Sequence, residues 1–242
     1  MQYEIRNGPA SAVLEVALAR GEEIRATQGA MMTRSSDVSM EANVGGEDGI
    51  GGMVKRAVSD GPSPVETTFT AERDDAMVTF APDYPGDVTA VDVTEEDPLR
   101  VRSGSILAWD AGVTQSAGIE EPAGGQSSGE LRPIELSGRG MAFLSSFGAV
   151  SERVVTPEDP LVADEDHLVA WRDGLDRTSE RVGAVRTDTL GGEGNVTTFT
   201  GNGRVWLQAR NPVLFGPSAD SGVRDLESTG ETDQNSDPPE YL

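Results

Sequence analysis

The sequence predicts an all-β protein, three related β modules in a pseudo-threefold arrangement. Three observations carry this. The string DPLRVRSGSILAW at 97–109 returns as DPLVADEDHLVAW at 159–171, with Asp, Pro, Leu and the closing Ala-Trp in the same places. A fainter copy fills 22–34, where Glu23-Ile24 and Gly29-Ala30-Met31-Met32 stand for Pro98-Leu99 and Gly104-Ser105-Ile106-Leu107. Apolar residues alternate with polar ones in short runs, and no long helical period is sustained. Self-similarity at a fixed period sets architecture before any single motif does.

Each copy follows one plan, so the elements can be justified in order. An alternating strand opens it: Leu14, Val16 and Leu18 share a face in copy one, Val91 and Val93 in copy two, and Val154-Val155 open copy three. A turn of acid, Pro or Gly follows, at Gly21-Glu22, Glu96-Asp97-Pro98 and Glu158-Asp159-Pro160. Next come a strand, a tight turn (Gln28-Gly29, Ser103-Gly104, Glu165-Asp166) and an apolar strand ending near Thr33, Trp109 or Trp171. Glycine-rich stretches follow at 45–52, 124–129 and 191–194, and they read as flexible connections between sheet layers.

Each copy then closes with VETTFTAERDDAMVTFAP, LRPIELSGRGMAFLSSFG or VTTFTGNGRVWLQARNP. These read as hairpins, because Ser137-Gly138-Arg139-Gly140 and Gly201-Asn202-Gly203 tolerate positive φ. The modules are therefore placed at 1–87 (with a glycine-rich loop over 45–61), 88–152 and 153–215. Residues 216–242, rich in Ser, Gly, Asp, Glu and Pro, read as a disordered acidic tail.

Composition narrows the function. Hydrophobic content is 36% and the formal net charge is -23. Of the nineteen basic residues only Lys55 is Lys. An acidic chain almost without Lys suggests adaptation to molar salt, where the Debye length falls to roughly 3 Å and carboxylate repulsion is screened. The charge opposes nucleic-acid binding, which needs a basic footprint. Without Cys, disulfides, thiolate metal sites and Cys nucleophiles are excluded. His167 is the only His, so His-pair metal signatures cannot form. No signal peptide and no apolar run of membrane-spanning length is visible, so a cytoplasmic protein is expected.

Taken in order, GAMMTRSSDVSM, APDYPGDV, RSGSILA, FLSSFGAV, DEDHLVAW and GEGNVTTFTGNGRVWLQARNP resemble the altered-inheritance-of-mitochondria twenty-four family. The resemblance covers most of residues 1–212. It implies a double-stranded β-helix-like sandwich with internal repeats, similar to the tryptophan RNA-binding attenuator superfamily. It ties the mitochondrial branch to inner-membrane organisation and carries over no catalytic residues. Two departures stand out: Glu47 and Asp48 interrupt the first glycine-rich loop, and Gln126-Ser127-Ser128 make the second one polar.

Candidate chemistry is sparse. Gly125-Gln126-Ser127-Ser128-Gly129 matches G-x-S-x-G, but its flanks read as loop and strand, not the strand and helix of a nucleophile elbow. Asp164, Asp166 and His167 (with Glu165 between) are the candidate ligands for a hard cation, yet strand geometry would send consecutive side chains to opposite faces. Met53, Val54, Lys55, Arg56 and Val58 form the candidate partner or membrane contact, a short amphipathic patch whose bland alternative is a lid over the β core. Trp109, Trp171 and Trp206 read as core packing, or as a ligand platform.

The sequence therefore supports a non-enzymatic structural or scaffolding protein, acting through self-assembly and an unknown protein partner, with peripheral contact at a membrane surface. No cofactor and no nucleic acid are expected, and a homo-oligomer is. The alternatives are a small-ligand or carbohydrate-binding β module and, further off, a metal-dependent or serine hydrolase.

Overall fold

The computed structural model describes residues 1–43, 66–117, 133–181 and 195–212. The three glycine-rich stretches, the 53–58 patch, the G-x-S-x-G motif and the tail lie outside the described residues. Among the described residues, regular structure consists of nineteen strands and one 3-10 turn.

The first copy contains β1 (Gln2–Arg6), β2 (Val13–Leu18), β3 (Glu23–Thr27), β4 (Met31–Arg34), β5 (Val38–Asn43), β6 (Glu66–Ala71) and β7 (Ala76–Phe80). The second repeats β2 to β7 as β8 (Val88–Val93), β9 (Leu99–Arg102), β10 (Ile106–Asp110), β11 (Val113–Ala117), β12 (Pro133–Gly138) and β13 (Gly140–Ser145). The third repeats them as β14 (Val150–Val155), β15 (Leu161–Asp164), β16 (Leu168–Arg172), β17 (Asp176–Arg181), β18 (Asn195–Thr200) and β19 (Gly203–Gln208). The 3-10 turn Glu165–His167 separates β15 from β16.

One pairing rule governs all three copies. In the first, β2, β7 and β4 are neighbours, and so are β5, β6 and β3; the second and third copies pair their counterparts identically. Even a register shift recurs, between Met31 and Thr33, Ile106 and Ala108, and Leu168 and Ala170. The copies meet where β3 pairs with β10 and where β9 pairs with β16. These joints fuse the groups into two six-stranded sheets, leaving β1-β2-β7-β4 at one end and β15-β18-β17 at the other. A third joint, β15 to β4, is not made, and both strands are sheet edges. Strand pairing thus sets the modules in a row with two joints; it does not close the expected pseudo-threefold arrangement.

The expected closing hairpins are corrected. β6 pairs with β3 and β5 whereas β7 pairs with β2 and β4, and the same separation holds for β12 and β13 and for β18 and β19. The intervening turns carry the chain across from one sheet to the other. Gly138, at φ 100°, permits such a corner: a Cβ there would sit 2.3 Å from the carbonyl oxygen of Gly112. The strands that do form hairpins within each copy, β5 with β6, β11 with β12 and β17 with β18, are those joined through the glycine-rich stretches.

Three hydrophobic clusters follow the modules. Strand β10 serves two of them, with Leu107 and Ala108 in the first and Ile106 and Trp109 in the second. Strand β16 likewise sends Val169 and Ala170 to the second and Leu168 and Trp171 to the third. This explains the unbroken apolar runs ILAW and LVAW: a strand buried on both faces has no polar alternation to display.

Candidate functional site

The sequence's candidate ligands meet at the joint of modules two and three. Asp164 caps the 3-10 turn, its carboxylate accepting from the Asp166 amide at 2.9 Å. Glu165 is buried and accepts a 2.7 Å bond from the Thr197 hydroxyl. The Asp166 carbonyl accepts from Arg102 Nη1 at 2.8 Å and from Gln208 Nε2 at 2.9 Å, and its carboxylate takes Asn211 Nδ2 at 3.2 Å. His167 Nδ1 donates to the Gln208 carbonyl at 2.7 Å. Gln208 Oε1 in turn accepts from the Phe147 amide at 3.0 Å.

The 3-10 turn replaces the alternating strand assumed for this tetrapeptide. It aims Glu165 inward, and Asp166 toward β9 and the chain after β19. Each candidate is thereby committed to a protein donor or acceptor. Among the described residues no group of three or more His, Asp or Glu is arranged to hold a metal ion. The arrangement latches β9, β16 and β19 together.

Ion pairs extend the latch. Arg100 binds Glu135 at 2.9 Å and Asp173 at 2.5 Å, and it stands opposite Trp171 in the ladder. Arg172 reaches the Asp97 carboxylate at 3.2 Å and the backbone carbonyls of Asp97 and Asp92, and lies 5.5 Å from the centroid of the Trp206 ring. At joint one the positions of Arg172 and Asp97 hold Asp110 and Glu22, two acids. The terminal ammonium of Met1 supplies the compensating charge, 2.6 Å from Glu22. Its hydrogen bond, seconded by the Ala19 amide, lowers the Glu22 carboxyl below its ordinary range.

Burial pushes the Asp110 carboxyl up, and a 2.8 Å hydrogen bond from the Met141 amide opposes the shift. A raised carboxyl pKa means that the charged form is disfavoured on folding, so the penalty is present at neutral pH and is relieved as pH falls through the folded pKa. Asp110→Asn keeps an acceptor for Met141 without the charge. We expect a higher Tm for this variant at pH 7, with the gain shrinking toward pH 4. Thermal melts across that range check it.

Trp109, Trp171 and Trp206 are 1%, 2% and 3% exposed. They sit inside the hydrophobic clusters and present no face to solvent, so these three rings do not form a ligand platform. Arg102, Gln208 and Asn211 were not anticipated. The Arg after Asp-Pro-Leu signals only the neighbouring Arg100, since Arg25 and Arg100 fall at matching repeat positions and each stands opposite a Trp (Trp109 or Trp171) across a joint. The repeat gives no such signal for Arg102, whose counterparts are Thr27 and Asp164.

A family model described as mitochondrial biogenesis AIM24 matches residues 3–210. The chain belongs to the AIM24 family. An uncharacterised protein of Streptococcus pyogenes serotype M6 is 26% identical over 223 residues, spanning 89% of this chain and 88% of the relative. A crystal structure of protein SPYM3_0169 from Streptococcus pyogenes superimposes with a TM-score of 0.72 at 24% identity, over 88% of this chain and 95% of that one. That likeness shows the all-β fold alone. No helix of the described residues is long and apolar enough to cross a membrane.

Proposed function

We propose that this AIM24 protein is a non-enzymatic structural or scaffolding protein that acts through self-assembly and partner contacts. One observation carries the reading: the residues with chemical potential, Asp164, Asp166, His167 and Arg102, are spent on holding modules together. What the described residues offer outward is sheet edge and surface, the material of assembly. The charge of -23 sets the conditions, because unscreened carboxylates would keep copies apart. Peripheral contact with a membrane through Met53, Val54, Lys55, Arg56 and Val58 belongs to the same proposal.

Native mass spectrometry and light scattering in molar KCl, with metal analysis, test it. A defined oligomer without stoichiometric metal is expected, and dialysis to about 0.05 M salt should dissociate or partly unfold it as the screening length grows severalfold. A monomer in molar salt, or one metal ion per chain, would overturn the reading. Flotation with anionic vesicles, compared between the full chain and a variant lacking residues 49–58, tests the membrane contact.

A further inference from the structure

The two ends of the module row are unfinished in complementary ways. At the internal joints the strand that receives the preceding module is covered: Leu107 on β10 is 3% exposed and Val169 on β16 is 0% exposed. The same repeat position on β4 is Met32, which is 60% exposed. Its neighbour Met77 on β7 is 38% exposed, whereas the counterpart Met141 on β13 packs against the first hydrophobic cluster. At the far end, the position of Arg25 on β3 and Arg100 on β9 is held on β15 by Val162, 61% exposed.

Each of these edges carries an apolar side chain in water where its two repeats are covered. Unpaired edges of this kind recruit another strand. The chain shows twice what that strand is. Strand β3 lies antiparallel on β10 with Arg25 opposite Trp109, and β9 on β16 with Arg100 opposite Trp171. The strand able to continue that series is β15, and the strand able to receive it is β4.

We propose that β15 of one copy pairs antiparallel with β4 of a second copy, Val162 opposite Arg34 and Ala163 opposite Thr33. Module three of one chain thus docks on module one of the next as the internal modules dock on each other. Met32 then enters the third cluster of the neighbouring copy as Leu107 enters the first, and the Arg34 stem covers Val162. The contact is heterologous, so it closes into a ring or extends as a filament according to its rotation. The proposal rests on the assembly reading and names its interface.

The absence of Cys makes a direct test available. Opposed residues of an antiparallel ladder have Cα atoms about 4.5–5.5 Å apart, inside the disulfide range of about 4.4–6.8 Å. Arg34→Cys and Val162→Cys each place one thiol at an exposed site. Mixed in molar KCl under mild oxidation, they should yield a reducible species of twice the 25.5 kDa chain. Arg34→Cys mixed with Val154→Cys, exposed on the different edge strand β14, should yield far less. An assembling wild type with no Arg34–Val162 cross-link overturns this interface and leaves the assembly reading standing. A monomeric wild type overturns both. A double variant that links only within single chains shows that a second copy is not the occupant, and overturns the proposal.

Discussion

Trp171→Ala is expected to lower the unfolding free energy by roughly 3–5 kcal/mol, the range for truncating a buried Trp. The residue is 2% exposed, its ring lies 5.8 Å from that of Phe199, and the Arg177 guanidinium stands 5.3 Å from its centroid. Removing the indole opens a cavity in the third cluster and strips cover from Arg100 across the joint. Denaturant unfolding in molar salt, followed by far-ultraviolet dichroism, measures the effect. Met32→Ala is the matched control. It alters a repeat of the position that Val169 fills beside Trp171, yet Met32 is 60% exposed in the single chain. At protein concentrations dilute enough to hold the chain monomeric, its effect on unfolding should stay within about 0.5 kcal/mol, as for most surface changes. A loss at Trp171 below about 1 kcal/mol would contradict its role as a joint anchor.

That asymmetry shows how much of the fold was legible. The repeated DPL and Ala-Trp strings locate β9, β10, β15 and β16 and reveal that they are equivalent. The unbroken runs ILAW and LVAW follow from burial on both faces, and MMTR in copy one differs because nothing among the described residues covers its outer side. The hairpins were misread for a definite reason. A hairpin loop and a corner between sheets both call for positive φ, so Gly138 and Gly201 satisfy either; the choice depends on which distant strand waits beside β12 or β18. The Asp164–His167 cluster was visible as composition, but its partners Arg102, Gln208 and Asn211 come from far along the chain. Local spacing could not show that Asp166 is held by donors from β9 and from the end of β19.

The second large effect is expected at Gly86→Ala, on the order of 3 kcal/mol or more, or no folded protein at all. Gly86 lies between β7 and β8, where that connection crosses the equivalent one between β13 and β14. Gly86 and Gly148 form a parallel bridge. Around it the Asp87 amide donates to the Gly148 carbonyl at 3.1 Å, the Ser146 amide to the Asp87 carbonyl at 3.0 Å, and the Gly148 amide to the Pro85 carbonyl at 3.1 Å. A Cβ on Gly86 would fall 1.8 Å from the Ser146 carbonyl oxygen and 2.8 Å from the Gly148 nitrogen. Both are backbone atoms, so no side-chain rotation relieves the clash; the connections must separate, breaking hydrogen bonds worth about 1 kcal/mol each and leaving their polar groups unpaired. The next connection continues the stack, with the Ala209 amide donating to Ala149 at 2.9 Å and the Arg210 amide to Phe147 at 3.1 Å. Displacement at Gly86 is therefore passed along a ladder of module connections. Gly174→Ala separates this cause from the general cost of removing a glycine, since a Cβ there meets nothing within 4 Å. Thermal melts of the two variants in molar salt should differ widely, with Gly174→Ala close to wild type. Equal, small shifts would mean that the connections do not brace the row of modules.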